Sequence, residues 1–403
     1  MDRIHSQKHS LESFWYVLSR MLERSSFYGL RAILVLYMVD EATLALDQSE
    51  AFSFYGLFIS VFVFSQILGA LLGDFVLGNK KTVIVGGVLQ ALGAFCLCFP
   101  SMAGLYAGMV LVVLGGGLYT PNLIANFGKS YLNRLKLLDS GFTLLYLAVN
   151  LGSFLGILAL GILADSQGYA IAFGLSGMLA LMAIVPIVLT KEPDLNALKK
   201  PSFSLNRRIL NILIAFIVVG AFWGLYELSS LCFYDIQAQF GDMEGLGLGH
   251  SEWQSMSTYI LLPLTFLAVL AWSYFYTSQL FKMALGFIFG VLAFVVFLQI
   301  PQVATEQHGI LFIVSLILLG LAEVFTAPVV HSVLTQYTNP KYLAIMISLS
   351  FLPTRMVSSA FALLNDLIYD EPILGVQLAL GGMSLMALLL VGTFVIKRFV
   401  KIN

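Results

Sequence analysis

The chain has 403 residues, of which 59% are hydrophobic and only 11% are charged, whereas soluble domains carry about 25% charged residues. This composition excludes an ordinary soluble domain, and the net charge of −1 points to no nucleic-acid partner. The sequence contains no phosphate-binding glycine loop, no His/Cys metal cluster and no enzyme signature. We therefore expect no enzyme activity, no metal and no cofactor.

Twelve apolar runs follow one another along the chain, and each is long enough to cross a bilayer as a helix. They lie at roughly 11–38, 51–74, 80–99, 102–126, 138–164, 169–190, 207–233, 252–277, 281–300, 309–336, 341–367 and 374–399. The sequence therefore predicts an all-α membrane protein with twelve transmembrane helices. Eleven helices would follow if a short pair, such as the third and fourth runs, were misread.

The loop cations support an even number of spans. Seventeen of the 21 Lys and Arg residues lie at the termini or in alternate loops, and the intervening loops carry only acidic residues. By the positive-inside rule, both termini are predicted to be cytoplasmic, in a multi-pass protein of the cell inner (plasma) membrane. The seventeen cations are Arg3, Lys8, Lys80, Lys81, Lys129, Arg134, Lys136, Lys191, Lys199, Lys200, Arg207, Arg208, Lys282, Lys341, Lys397, Arg398 and Lys401.

The longest cationic loop divides the chain into two halves of six spans. We predict an N-terminal bundle at 1–190, a cytoplasmic linker at 191–206 and a C-terminal bundle at 207–403. This plan resembles the major facilitator superfamily, in which the solute site lies near the membrane midplane between the two halves.

A second feature of the loops also resembles that superfamily. Gly73 and Asp74 end the second run, and Lys80 and Lys81 begin the third, as in the superfamily's cytoplasmic gating loop. The simpler alternative is a polar turn followed by positive-inside lysines.

Charged residues inside the predicted spans are the main functional candidates. Each costs about 2.5–3.5 kcal/mol at a helix centre, so we expect them to face one another or a water-filled cavity. Three arginines of the first run share one helix face, because their spacing is i, i+4 and i+11. A solute with separated negative and positive ends would fit this distribution, as would switching salt bridges or, for Arg20 and Glu23, a purely structural ion pair. The charged residues are Arg20, Glu23, Arg24, Arg31, Glu227, Glu323 and Arg355.

The first run carries a recognisable motif. Residues 23–34 read Glu-Arg-Ser-Ser-Phe-Tyr-Gly-Leu-Arg-Ala-Ile-Leu, which resembles the E-x-x-E-R-F-x-Y-Y-G-x-R-A-x-L signature of the proton-dependent oligopeptide transporters (the POT family). Further stretches resemble motifs of that family in the same order along the chain. They lie at 115–122, 139–152, 172–177, 222–227 and 323–332.

The departures from the family pattern concern its charged residues. Arg20 stands at the first Glu of the signature, and Thr120 stands at the Lys of span four. Leu228 replaces the Gln after the span-seven Glu, and Arg355 lies where the family is usually apolar. The chain therefore resembles an atypical member, in which half of the usual coupling set is missing.

The resemblance implies a set of site residues. Proton coupling would involve Glu23, Arg24, Glu227 and Glu323. The solute-binding residues would be Arg24, Tyr28, Arg31, Thr120, Tyr146, Asn150, Trp223, Glu227, Glu323 and Arg355. Among these, the two arginines of the first span would hold an anionic end of the solute, and the span-five Asn and the span-ten Glu would hold an amino end.

The residues themselves refine these roles. An adjacent arginine keeps a buried carboxylate ionised, so Glu23 is interpreted as an orienting partner rather than the proton carrier. Glu227 and Glu323 lie in apolar helices, where burial would bring a carboxylate pKa toward neutrality, and we predict that one of them carries the proton. Arg355 either restores the positive charge lost at Thr120 or forms an ion pair with Glu323.

The resulting hypothesis is a monomeric, proton-coupled symporter of di- and tripeptides or peptide-like solutes, which works by alternating access in the lipid bilayer. One alternative is a uniporter or exporter of another organic ion, in which proton coupling is altered or lost. A second alternative is a non-transporting receptor or scaffold built on a transporter fold.

Overall fold

A computed structural model describes residues 2–3, 8–195, 198, 203–243, 248, 250–361, 363 and 365–399. Part of the predicted linker, residues 196, 197 and 199–202, lies outside the described residues. The α-helices are α1 Leu11–Val39, α2 Gln48–Leu72, α3 Asn79–Leu97, α4 Met102–Ser130, α5 Leu138–Gln167, α6 Tyr169–Leu189, α7 Leu205–Asp242, α8 His250–Tyr274, α9 Gln279–Phe297, α10 Gly309–Tyr337, α11 Leu343–Leu349, α12 Phe351–Phe361, α13 Asn365–Asp370 and α14 Pro372–Phe399. Two short strands, β1 Asp2–Arg3 and β2 Phe275–Tyr276, pair antiparallel.

The predicted all-α membrane architecture is confirmed. Within the described part of the chain, eleven helical segments are long and apolar enough to cross a membrane. Helix α1 is not among them, although its 29 residues exceed the length that a bilayer requires. Its charged residues lower its hydropathy, so α1 is the twelfth helix of the predicted set.

The eleventh predicted span differs from the expectation of one helix over 341–367. The structure divides it into α11 and α12, with a turn at Ser350. Pro353 explains the break, because proline has no N–H and its ring collides with the carbonyl group four residues earlier, at Leu349.

The described chain forms two compact units by its contacts. The first unit contains Gln7–Ser202 together with Thr338–Leu349. In it, α1 packs against α5 and α6, α3 packs against α4 and α6, and α2 packs against α4. Helix α11 also belongs to this unit and packs against α2 and α4, although it comes from the second half of the sequence.

Glycines bring α1 close to α5. A Cβ atom at Gly29 would lie 2.6 Å from the carbonyl oxygen of Gly156, and a Cβ at Gly156 would collide with the carbonyl oxygen of Ser25. Small residues at such points let membrane helices approach closely. This packing places the charged face of α1 in the first unit.

The second unit contains Met1–Ser6, Phe203–Tyr337 and Ser350–Asn403. Helix α7 packs against α10, α12 and α14, and α9 packs against α10 and α14. Lys282, which the sequence analysis treats as a loop cation, is buried at the start of α9, with its Nζ atom 4.6 Å from the ring centroid of Trp272. A lysine that counts among the loop cations in the sequence thus lies at a helix start, along an aromatic face.

Candidate functional site

The centre of the first unit contains a buried ionic cluster on α1. Arg20 donates from Nη1 to Oε2 of Glu23 at 3.1 Å. Arg24 donates from Nε to the same oxygen at 2.7 Å, and from Nη2 to Oε1. The three residues are 5%, 0% and 4% exposed, respectively. One carboxylate thus holds two guanidinium groups, away from solvent.

Two further helices complete this cluster. Gln90 of α3 donates from Nε2 to Oε1 of Glu23 at 3.1 Å. The hydroxyl oxygen of Thr120 on α4 accepts from Arg20 at 3.1 Å and from Arg24 at 3.2 Å. Thr120 belongs to the predicted site, whereas Gln90 does not. The only signal for Gln90 is that it is the one polar side chain in the apolar part of α3, residues 83–95.

Arg31 lies further along α1 and is half-buried. It donates from Nε to the hydroxyl group of Tyr55 at 2.5 Å, and its guanidinium carbon is 5.9 Å from the ring centroid of Tyr28. The guanidinium carbon of Arg24 is 5.4 Å from the same ring. Tyr28 thus lies beside both arginines, and such cation–π contacts stabilise guanidinium groups that are shielded from water.

The predicted residues of α5 lie on the same unit. Asn150 and Tyr146 are both half-buried. Asn150 donates from Nδ2 to the backbone carbonyl of Tyr146 at 3.0 Å. Its side-chain oxygen remains an acceptor for an ammonium group.

The predicted carboxylates of the second unit differ in burial. Glu323 on α10 is 8% exposed. Glu227 on α7 is exposed and accepts a hydrogen bond from the hydroxyl group of Ser358 on α12. The structure therefore buries one of the two carboxylates, Glu323. On α7 it is Leu228 that is buried, and the preceding residue, Glu227, is exposed.

The other predicted residues of this unit lie on α7 and α12. Trp223 is half-buried and contacts Phe222 and Tyr226 edge to face, with ring centroids 5.4 Å and 5.6 Å away. Arg355 is exposed on α12, one turn before Ser358.

The predicted gating loop begins with a π-helical turn at Gly73–Leu77. Asp74 accepts from Nδ2 of Asn79 at 3.0 Å through one carboxylate oxygen, and from the backbone N–H of Ile345 at 3.0 Å through the other. Ile345 lies in the first turn of α11. A carboxylate at this place satisfies an N–H group that has no partner within the helix and interacts favourably with the helix dipole.

The two lysines of the gating loop have different environments. Lys80 donates from Nζ to the carbonyl oxygens of Val188 at 3.0 Å and Thr190 at 2.6 Å, at the C-terminal end of α6. Lys81 is exposed. Lys80 is therefore a cap of α6, a role that the sequence analysis missed.

A buried polar network lies behind the loop. Lys129 is 3% exposed and donates from Nζ to Oδ1 of Asn79 at 2.5 Å. Asn79 in turn donates to Oδ1 of Asn122 at 2.7 Å. Lys129 counts among the loop cations in the sequence, but α4 continues beyond the predicted residue 126 to Ser130 and buries this lysine in its last turn.

His9 joins the start of α1 to the connection between α4 and α5. Its Nδ1 atom is 2.7 Å from the hydroxyl oxygen of Tyr131, and its Nε2 atom is 3.2 Å from Oγ of Ser140. Burial, followed by the nearby charge of Arg134, lowers the pKa of His9 from its ordinary value of 6.5. Burial also raises the pKa of Tyr131, to about 12.

Solved structures resemble the whole chain. A peptide transporter POT in complex with sulfate has a TM-score of 0.61 at 21% identity, covering 95% of this chain and 94% of the other. A POT family transporter in complex with 5-aminolevulinic acid has a TM-score of 0.65 at 19% identity, covering 97% and 96%. At these identities, the likeness establishes the fold.

Curated relatives resemble part of the chain. An uncharacterized transporter YclF of Bacillus subtilis is 32% identical over 191 residues. Dipeptide and tripeptide permease A of Pectobacterium carotovorum subsp. carotovorum is 30% identical over 212 residues. The matches cover 46% and 52% of this chain, but only 39% and 42% of the relatives' own lengths. The permease among these relatives confirms the resemblance to peptide transporters that the motifs predict.

The model of the Major Facilitator Superfamily matches residues 17–363. This interval begins within α1, before its ionic cluster, and ends just after α12, so it covers parts of both units. The chain belongs to the Major Facilitator Superfamily.

Proposed function

We propose that the chain is a secondary transporter of di- and tripeptides or peptide-like solutes, driven by the proton gradient. The observation that carries the proposal is the buried carboxylate Glu323 on α10, combined with the arginine-rich face of α1. Peptides have an anionic and a cationic end, so they match a site with arginines on one element and carboxylates on another. The permease names of the relatives agree with this substrate class.

In this proposal, Arg24 and Arg31 hold the solute carboxylate, with Tyr28 beside them, and Asn150 and Glu323 hold its amino group. Thr120, Tyr146, Trp223, Glu227 and Arg355 complete the proposed set of solute contacts.

We infer that Glu323 carries the proton. The oxygens of Glu23 already accept hydrogen bonds from two guanidinium groups, so protonating it would leave both cations without their counter-charge. Glu227 is exposed and holds Ser358. A buried carboxylate can alternate between a neutral form and an ionised form that is paired with the solute.

Uptake into proteoliposomes tests this function. The wild-type protein is expected to accumulate a labelled dipeptide when the outside is acidic, and Glu323→Gln is expected to lose accumulation but keep exchange of labelled for unlabelled dipeptide. Glu227→Gln is the comparison: as a proposed solute contact that does not carry the proton, it is expected to keep accumulation driven by the gradient, at a lower affinity for the dipeptide. Accumulation by Glu323→Gln would contradict the assignment of the proton carrier, and wild-type uptake that ignores the gradient would contradict symport.

The gating role of the loop is part of the proposal. Asp74 holds the first turn of α11, and release of Ile345 from Asp74 would free a segment of the second half of the sequence from the first unit. Lys80 and Gly73 shape the loop around this contact, and Lys81 contributes positive charge at the membrane surface.

We further propose that the protein lies in the cell inner (plasma) membrane as a monomer, with both termini cytoplasmic. The distribution of loop cations supports this orientation. Reporter domains fused at either end of the chain, one active only in the cytoplasm and one only outside it, test the orientation. Activity of the external reporter at either end would contradict it.

A second candidate function is uniport or export of another organic ion. It is favoured by Arg20, which occupies the position of a carboxylate in the POT pattern and contacts Thr120. Efflux of a preloaded solute without a dependence on pH would favour this candidate over symport.

A further inference from the structure

The ionic cluster of α1 carries a fixed excess of positive charge. Arginine remains protonated in proteins, so Arg20 and Arg24 contribute two positive charges. Glu23 contributes one negative charge, because both of its oxygens accept from guanidinium groups. Gln90 and Thr120 are neutral. The cluster is therefore left with a net charge of +1, and its three charged residues are at most 5% exposed.

The excess positive charge arises from two departures from the POT pattern whose side chains are in contact. The POT pattern has a Glu at the place of Arg20 and a Lys at the place of Thr120, and with Glu23 and Arg24 that set would be neutral. In this chain, the guanidinium of Arg20 donates to the hydroxyl oxygen of Thr120 at 3.1 Å. A cation of α1, Arg20, thus contacts the position at which the POT pattern has the Lys of span four.

The cluster also has an unused donor. The Nε atom of Arg20 is buried and has no hydrogen-bond partner. A buried donor without a partner costs about 1–3 kcal/mol, and more when it is charged. An unbalanced charge within a membrane adds to this cost. One anion would satisfy the donor and neutralise the cluster together.

We propose that Arg20 and Arg24 form an anion site that binds one monovalent anion, either the carboxylate of the transported solute or a free halide. Arg20 is then a specificity-determining residue, which selects solutes or co-ions by negative charge. Both oxygens of the cluster's carboxylate already accept from guanidinium groups, so the charge that the cluster lacks is an anion's. The proposal rests on the proposed transport function when the anion is the solute carboxylate, and stands apart from it when the anion is a halide.

Thermal-shift measurements on the purified full chain in detergent test the site in two arms. The first arm compares sodium chloride with sodium gluconate, without any peptide. The second arm compares a dipeptide with its C-terminal amide, which lacks the carboxylate, in chloride-free buffer. Stabilisation by chloride alone identifies a halide site, and stabilisation by the dipeptide over its amide identifies a solute carboxylate site.

Variants connect the response to Arg20. Arg20→Gln removes the charge, and we expect it to weaken the anion response about tenfold in apparent affinity, in keeping with the loss of a charge-assisted hydrogen bond. Arg20→Lys keeps the charge and is expected to retain a larger part of the response than Arg20→Gln. Lys136→Gln, at an exposed cation between α4 and α5, is the control and is expected to respond like the wild type.

Three results would overturn the proposal. They are a wild-type protein that responds in neither arm, a folded Arg20→Gln that responds like the wild type, and, if Arg20→Gln does not fold, an Arg20→Lys that has lost the response entirely. A protein that binds the dipeptide and its amide equally and ignores chloride keeps the proposed peptide function but has no anion site. A protein that binds chloride and no peptide keeps the anion site and loses the peptide function.

Discussion

Replacing Gly156 with alanine tests the packing that positions the charged face of α1. A Cβ atom at this position would collide with the backbone carbonyl oxygen of Ser25 on α1. Backbone atoms cannot move away by rotating a side chain, so α1 and α5 must separate. Overpacking of this kind costs about 1–3 kcal/mol. The higher helix propensity of alanine offsets about 0.5–1 kcal/mol of this loss in stability, because glycine destabilises a helix interior relative to alanine.

Gly161 supplies the matched control on the same helix. A Cβ atom at Gly161 would meet nothing within 4 Å, so Gly161→Ala is expected to keep or slightly raise stability. Apparent melting temperatures in detergent, followed by fluorescence-detected size-exclusion chromatography, compare the two variants. At about 2–4 °C per kcal/mol, Gly156→Ala is expected to melt a few degrees below the wild type.

Uptake measured well below the melting temperature separates packing from positioning. Gly156→Ala is expected to reduce dipeptide uptake even while folded, because a displaced α1 moves Arg24 and Arg31 out of their solute-binding positions. Equal melting temperatures for Gly156→Ala and Gly161→Ala would refute the reasoning, since the close approach of α1 and α5 would then have no energetic consequence.

Three further predictions concern the loops. Asp74→Asn removes the negative charge that accepts a hydrogen bond from the N–H of Ile345. We expect it to destabilise the protein by about 1–2 kcal/mol and to reduce uptake. An unchanged melting temperature would argue against this contact. Lys80→Met removes the cap of α6 and is expected to cost about 0.5–1 kcal/mol in a thermal-shift assay, whereas Lys81→Met should cost nothing measurable, and equal losses would contradict the difference between them. The pKa of His9 is lower in the folded protein than its ordinary value of 6.5, so the unfolded chain takes up this proton at a higher pH than the folded protein does. The free energy of unfolding is therefore expected to decrease as the pH falls from about 6.5 to the folded pKa, and to level off below it. His9→Gln should flatten this part of the stability profile, and a melting temperature that falls equally steeply in both proteins would refute the assignment.

Much of the fold follows from the sequence because the membrane restricts it. Backbone groups within lipid must pair internally, so a long apolar run becomes a helix, and its length and flanking charges determine where it lies. The spacing of Arg20, Arg24 and Arg31 likewise predicts a common face. Even the break of the eleventh span has a local cause, the proline at position 353.

The details of the site do not follow from local patterns. Gln90 and Ser358 contact charged residues on other helices, and their positions depend on tertiary packing. Helix α7 is apolar on all sides, so no periodicity shows that Leu228 rather than Glu227 is buried. Lys129 has the sequence context of a loop cation, and the extra turn of α4 that buries it has no signal in the charge pattern.

The segment Thr338–Leu349 has a consequence for engineering. Leu343, Ala344 and Ile347 bury their side chains in the first unit, although they follow α10 of the second. A polypeptide cut in the linker would therefore yield a C-terminal fragment with an apolar, unpartnered stretch in its middle. Chimaeras between relatives should accordingly exchange residues 338–349 with the N-terminal half, which takes three crossovers rather than one.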